Sequence, residues 1–192
     1  MTSVQDQSVT LIDAMDSTSV TRIQLNLPLG EVAIGPDGLT AWVFSAQDGK
    51  SDFYLVDLVK QEVRDSVRLR DWPGTVAFSA DGSRAYVPLY GGSAVAFLDA
   101  TDLDELGTVG LGRQTPGVQI RRQPRSVAVA STPSGEVLLV AGWGSGVVWA
   151  LDAGSGELLA EVEVGGGPAF VLPEPGGKRV YAVVDSLNQL RS

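Results

Sequence analysis

The sequence predicts an all-β protein assembled from about four copies of a four-stranded antiparallel unit, and three observations carry that expectation. Four apolar runs each close on an acid: Val9-Thr10-Leu11-Ile12-Asp13, Phe53-Tyr54-Leu55-Val56-Asp57, Val95-Ala96-Phe97-Leu98-Asp99 and Val148-Trp149-Ala150-Leu151-Asp152, with the Asp residues 44, 42 and 53 positions apart. A second series of turns keeps the same beat: Pro36-Asp37-Gly38, Ala80-Asp81-Gly82, Pro133-Ser134-Gly135 and Pro175-Gly176-Gly177, whose final glycines stand 44, 53 and 42 apart. Between these markers lie short segments rich in Val, Ala, Leu and aromatic residues and bounded by Gly, Pro, Asp or Ser, which is the composition of strands. No window of about 11–18 residues offers a helical period.

Taken in order, each unit holds strands that we letter a to d. Strand a is Glu31 to Ile34, Thr75 to Ser79, Ser126 to Ala130 or Ala169 to Leu172. Strand b follows the Gly turn, near 40–45, at Arg84 to Pro88, at Val137 to Ala141 and near 178–184. Strand c is the Asp-ended run. Strand d is Val20 to Leu25, Glu62 to Leu69, Glu105 to Val109 or Leu158 to Val164. Four antiparallel strands in about 43 residues make the blade of a β-propeller. The chain therefore reads as one propeller domain or propeller fragment over 1–192, with repeats near 8–52, 53–94, 95–146 and 147–192. It opens on strands c and d and ends on a and b, so four blades could close arithmetically into a ring.

The segments Ser126 to Pro168 and Ser8 to Gly49 resemble the YVTN-type β-propeller repeat, within the quinoprotein and WD40-like propeller superfamily. Its pattern is an Asp-ended strand, a strand leading to Gly and Pro, a strand ending in Pro-Asp-Gly and a Tyr-Val-type strand, matched loosely by Tyr86-Val87 and Val180-Tyr181. The resemblance implies a larger ring of six to eight blades, of which this chain would be part. An open array would expose sheet edges and an apolar blade face, and so invite self-association. One unit, Val147 to Val162, is also similar to the repeat of pyrroloquinoline-quinone enzymes, with Gly156 in place but Ala160 where that repeat has Trp.

Composition removes several function classes. The 192 residues carry 14 Lys+Arg against 23 Asp+Glu, a net charge of −9, which disfavours a nucleic-acid partner because phosphates reward a basic surface. With no Cys and no His there is no disulfide, no thiolate or imidazole metal site, no Cys nucleophile and no Ser-His-Asp triad. The 44% hydrophobic content suffices for a core. The most apolar stretch, Ser126 to Val148, is cut by Ser131-Thr132-Pro133-Ser134-Gly135-Glu136, so no membrane span is expected. Met1 to Asp6 has neither a basic nor an apolar leader segment. The family resemblance permits a periplasmic or extracellular location, and the residues themselves fix none.

The recurring Asp residues are expected to accept backbone N–H groups two positions on and pin the c–d turns, and the recurring glycines to supply positive φ. Both are structural, and no catalytic residue is assigned. The insert Gly110 to Arg125 breaks the period. It carries Arg113, Arg121, Arg122 and Arg125 without an acid, and falls on the end of the blades where the b–c and d–a connections meet. Arg70, Trp72, Tyr90 and Trp143 belong to the same end. Guanidinium groups suit bidentate recognition of carboxylate or phosphate, and the aromatics add flat apolar surface. Arg70, Trp72, Arg113, Arg121, Arg122, Arg125 and Trp143 are therefore the candidate ligand-binding set. Gly165-Gly166-Gly167-Pro168 lacks the Lys-Ser/Thr ending of a phosphate loop and reads as a d–a turn. No cofactor is expected. Acids such as Asp48, Asp52, Asp71 and Asp185 could supply oxygen ligands to Ca²⁺, as in lactonase-like propellers. The reading is a non-enzymatic binding or scaffold domain for a protein, peptide or anionic ligand. The alternative is part of a lactonase-like or quinoprotein-dehydrogenase-like propeller enzyme whose catalytic groups lie outside this chain.

Overall fold

The protein is described from a computed structural model, which covers residues 2–3, 7–12, 15, 20–25, 29–47, 50–69, 71–112 and 122–185. Among them the regular structure is entirely β, and no helix is long and apolar enough to cross a membrane. The chain divides into two compact units, residues 1–72 and 73–192.

The first unit holds a three-stranded sheet, β1 (Thr2–Ser3), β2 (Ser8–Ile12) and β3 (Val20–Gln24), in that order. Beside it stands a complete blade, β4 (Leu29–Ile34), β5 (Thr40–Gln47), β6 (Lys50–Asp57) and β7 (Glu62–Leu69), a simple antiparallel meander. β2 and β3 are the expected c and d strands, and β1 adds a two-residue pairing through Thr2↔Val9 and Ser3↔Ser8. Val9 and Ile23 from the first sheet pack with Leu29, Ala41, Val43 and Val56 from the second, which joins the two face to face.

The second unit holds two more blades and half of another. The first blade is β8 (Ala77–Phe78), β9 (Arg84–Leu89), β10 (Ala94–Asp99) and β11 (Glu105–Gly110). The next is β12 (Pro124–Thr132), β13 (Gly135–Gly142), β14 (Val147–Asp152) and β15 (Leu158–Glu163), and a hairpin of β16 (Gly167–Pro173) and β17 (Val180–Asp185) follows. Tyr86, Val95 and Phe97 from the first blade interleave with Val127, Leu138, Val140, Val147 and Trp149 from the second. The opposite face of that second blade, with Leu139, Ala141 and Val148, takes Val171 and Ala182 of the hairpin. Tyr86 also donates its hydroxyl to the Ala153 carbonyl across the blade boundary, at 3.0 Å.

Strand a of the first of these blades is shorter than the expected Thr75 to Ser79. Only Ala77 and Phe78 pair regularly, with Tyr86 and Ala85; Pro73 makes an isolated bridge to Leu89 one residue out of that register, so the ladder is interrupted beside Pro88, which has no N–H to donate. Gly74 still donates to the Pro88 carbonyl at 2.8 Å.

The three c–d turns among the described residues have one construction. Asp57 Oδ1 accepts the N–H groups of Val59 and Lys60, Asp99 Oδ1 that of Thr101, and Asp152 Oδ1 those of Gly154 and Ser155, at 2.7–3.0 Å. Asp13 lies outside the described residues. Four positions beyond each Asp the backbone turns left-handed, at Gln61 (φ 61), Leu103 (φ 66) and Gly156 (φ 76), and donates its N–H to that Asp carbonyl. The register then shifts by a bulge just before the Asp in all three blades. At the a–b turns Gly38, Gly82, Gly135 and Gly177 all have positive φ. Asp81 there accepts the Ser79 hydroxyl at 2.6 Å and both the N–H and the hydroxyl of Ser83. The Ser79 hydroxyl foremost, with the Ser83 groups, holds the Asp81 carboxyl down to about 2.

Two predictions follow from these turns. Gln61 is exposed and adopts a conformation that costs an ordinary residue about 1–2 kcal/mol and glycine almost nothing, part of which the freer unfolded glycine returns. Gln61→Gly is expected to raise stability by a few tenths to about 1 kcal/mol in urea unfolding; a loss would contradict the assigned turn. Because the folded Asp81 carboxyl titrates near 2 rather than at its ordinary 3.8, its contribution is present above about pH 4 and vanishes as pH falls through 2. The stability gap between wild type and Asp81→Asn is therefore expected at pH 5 and closed by pH 2, and a gap independent of pH would contradict the capping role.

Candidate functional site

The second unit places b–c connections at 90–93 and 143–146, the d–a connection at 164–166, and residues 111–112 and 122–123 at one end of its blades. Of the candidate set, Arg122, Arg125 and Trp143 are at this end. Trp72 is exposed and belongs to the first unit. Arg70, Arg113 and Arg121 lie outside the described residues.

Ser93 organises the feet of the insert. It is left-handed (φ 53), its carbonyl accepts the N–H of Leu111 at 2.9 Å, and its hydroxyl accepts the N–H of Arg122 at 3.0 Å. One residue thus holds both Leu111 and Arg122, the described residues on either side of the insert. The Arg122 guanidinium lies with Cζ 5.8 Å from the centroid of the Trp149 ring, where the π face attracts the cation. Its other support is Gly112, whose φ of 67 and missing side chain both matter, since a Cβ there would run into the guanidinium. Gly142 plays the same part for Trp149, as a Cβ on it would strike the indole ring.

Trp143 is fixed independently. Its N–H donates to the Gln123 carbonyl at 3.0 Å, tying it to the residue after Arg122, and its indole lies against the backbone of Gly167. The d–a turn that follows is the expected glycine turn, with Gly165 at φ 71 and Gly166 at φ 54; Val164 and Gly165 both donate to the Gly146 carbonyl. The indole Nε1 groups of Trp143 and Trp149 are buried and find no acceptor among the described residues. Arg125 stands exposed at the start of β12, while its carbonyl accepts the Thr75 N–H at 3.3 Å and closes over Gly74.

The arrangement holds the Arg122 guanidinium beside an aromatic face at the loop end of the blades. Ser93, Gly112 and Trp149 were not among the sequence candidates. Trp149 sits inside an Asp-ended run and reads as core, which it also is; the pairing of β12, β13 and β14 brings Gly142 and Arg122 to its ring.

Of the acids considered for Ca²⁺, Asp52 is engaged by Arg68 through Nε at 2.8 Å and Nη2 at 3.4 Å, Asp71 accepts the Trp72 N–H at 2.7 Å, and Asp48 lies outside the described residues. Among the described residues no three acidic side chains come close enough to share a metal ion.

No family model matches the chain, and no curated protein matches it. Solved structures do. Dihydro-heme d1 dehydrogenase NirN in complex with DHE superposes with a TM-score of 0.70 at 21% identity, over 96% of this chain and 38% of that one. Hydrazine synthase of Kuenenia stuttgartiensis gives 0.67 at 24% identity, over 82% and 42%. The Dos1 propeller gives 0.59 at 11%, over 80% and 41%. This chain spans about two fifths of each. At these identities the likeness establishes the fold alone: the sheets are β-propeller blades.

Proposed function

We propose that the chain is a non-enzymatic propeller module that binds an anionic ligand, an acidic peptide segment or a small carboxylate, through the loop end of its second unit. The observation that carries this reading is the positioned cation: Arg122 is stacked on Trp149, seated on Gly112 and anchored by Ser93 at the neck of the insert. A guanidinium ordered before the ligand arrives loses less freedom on binding, and its planar fork matches a carboxylate. Arg125 and the insert arginines, Arg113 and Arg121, extend the basic character locally in a chain of net charge −9. The overall charge repels anions at distance, so recognition rests on short-range contacts, which salt screens only in part. The propeller-enzyme reading has only the shared fold in its favour.

The test is a thermal-shift and titration screen of acidic peptides, uronate oligosaccharides and small carboxylates. A ligand at a hundredfold excess over Kd stabilises the native state by about 2.7 kcal/mol, so binding is visible as a raised melting temperature. Arg122→Gln is expected to weaken binding about tenfold to a hundredfold, the loss of one charge-assisted contact, and Ser93→Ala to weaken it less by loosening the neck. No shift from any anion, or equal binding by Arg122→Gln, would overturn the assignment.

A further inference from the structure

The indole of Trp143 carries a donor that the described protein does not use. Its Nε1 is buried and has no acceptor among the described residues, although an indole N–H can only donate and a buried one left unpaired is costly. The reason is local. The Gly142 carbonyl already takes the N–H groups of Ser145 and Gly146 and the Ser145 hydroxyl, and the Gly146 carbonyl takes those of Val164 and Gly165. The two carbonyls that close these turns are therefore filled.

Glycine fixes where the donor sits. Nε1 and Cδ1 of Trp143 stand 2.7 and 2.8 Å from where a Cβ on Gly167 would lie, so the edge of the indole that carries the N–H is turned to the d–a turn. That turn meets the b–c turn through backbone alone, since a Cβ on Gly146 would come within 3.0 Å of the Gly166 carbonyl oxygen. Gly144, Gly165 and Gly166 are exposed. What covers the donor from outside is thus a turn without side chains, which another backbone can approach and displace at little steric cost.

Arg122 and Trp143 belong to different inter-sheet spaces of one blade end. Arg122 lies by Trp149, in the core shared with β9 and β10, whereas Trp143 lies against Gly167 of the hairpin that covers the opposite face. Sheets pack about 10 Å apart, so a ligand that reaches both groups crosses about 10 Å of blade end, which an extended chain covers in about three residues. A small carboxylate reaches only one of them.

Resting on the reading of Arg122 as an anion site, we propose that the ligand is an extended peptide laid across the end of β12–β15, with an acidic side chain at Arg122 and a main-chain carbonyl about three residues away at Trp143 Nε1. A peptide carbonyl suits this donor because it accepts without bringing a charge that must be desolvated. Asp185, an acidic residue whose backbone adjoins Gly166, disfavours a second carboxylate there.

The probes are N-acetylglutamate amide, which fills the Arg122 end alone, and an acetylated, amidated heptapeptide with one Glu between two runs of three Ala, each titrated by calorimetry into the 192-residue chain. The heptapeptide is expected to bind about threefold to tenfold more tightly, the effect of one added hydrogen bond. Trp143→Phe, which keeps a ring and removes the donor, is expected to erase that difference, with an unchanged circular dichroism spectrum and unchanged affinity for N-acetylglutamate amide. Arg122→Gln is expected to weaken both probes alike. In heteronuclear NMR the Trp143 indole N–H, assigned by its absence from Trp143→Phe, is expected to move downfield with the heptapeptide and to stay in place with N-acetylglutamate amide. Equal affinity for the two probes, a difference that survives Trp143→Phe, an unmoved Trp143 resonance, or Trp143-dependent binding of a uronate oligosaccharide in place of the heptapeptide would each overturn the proposal and leave the Arg122 reading standing. Failure of the wild type to bind either probe would overturn it as well, and failure with every anion would overturn both.

Discussion

The four-stranded blades of this protein are apolar on both faces, and much else follows from the need to cover them. An antiparallel sheet with one dry face can stand against water on the other. The blade β12–β15 cannot, because Val127, Leu138, Val140 and Trp149 look one way and Leu139, Ala141 and Val148 the other. It is stable only between neighbours, and the inner strands β13 and β14 are buried while β15 is exposed along its length. The repeat is thus a packing unit before it is a sequence unit, and its stability is shared across each boundary.

The two ends of the blades answer to different requirements. At one end the turns are short and chemically specified: an Asp that accepts the next N–H groups, a left-handed residue four positions on, a bulge, and a left-handed Gly between strands a and b. Little can vary there without loosening a hairpin. The other end carries the insert, the glycine d–a turn and the b–c turns, where the connections are held by a few anchors such as Ser93 and Gly146. A rigid scaffold with freedom at one end is where binding residues accumulate. The cation on Trp149 joins the two requirements, because the ring that completes the core on one side also supports Arg122.

Most of the architecture was legible because its markers are local. Asp57, Asp99 and Asp152 and the turn glycines act within their own hairpins, so their spacing reports the blade directly. The left-handed turns at Gln61 and Leu103 were not legible, since neither residue favours that conformation; Leu103 is held there by a side chain that is 2% exposed. The shortening of β8 comes from the slip of register beside Pro88, which sequence does not state. At the candidate site, Arg122 stood out because it lies in the insert that breaks the repeat, and Trp143 as an aromatic of a loop at the same end. Ser93, Gly112 and Trp149 were not, because their roles arise where separate hairpins meet.

Native-state hydrogen exchange tests the central claim, that the sheets of the second unit hold one another rather than standing alone. If the shared core of Tyr86, Phe97, Val140 and Trp149 governs stability, the amides of β9, β10, β13 and β14 will exchange through one opening with a single free energy, and those on the outer edges of β11 and β15 faster. Denaturant should bring the four inner strands down together. Separate openings for β9–β10 and β13–β14, each with its own denaturant dependence, would show that every blade is stable by itself and would contradict the account.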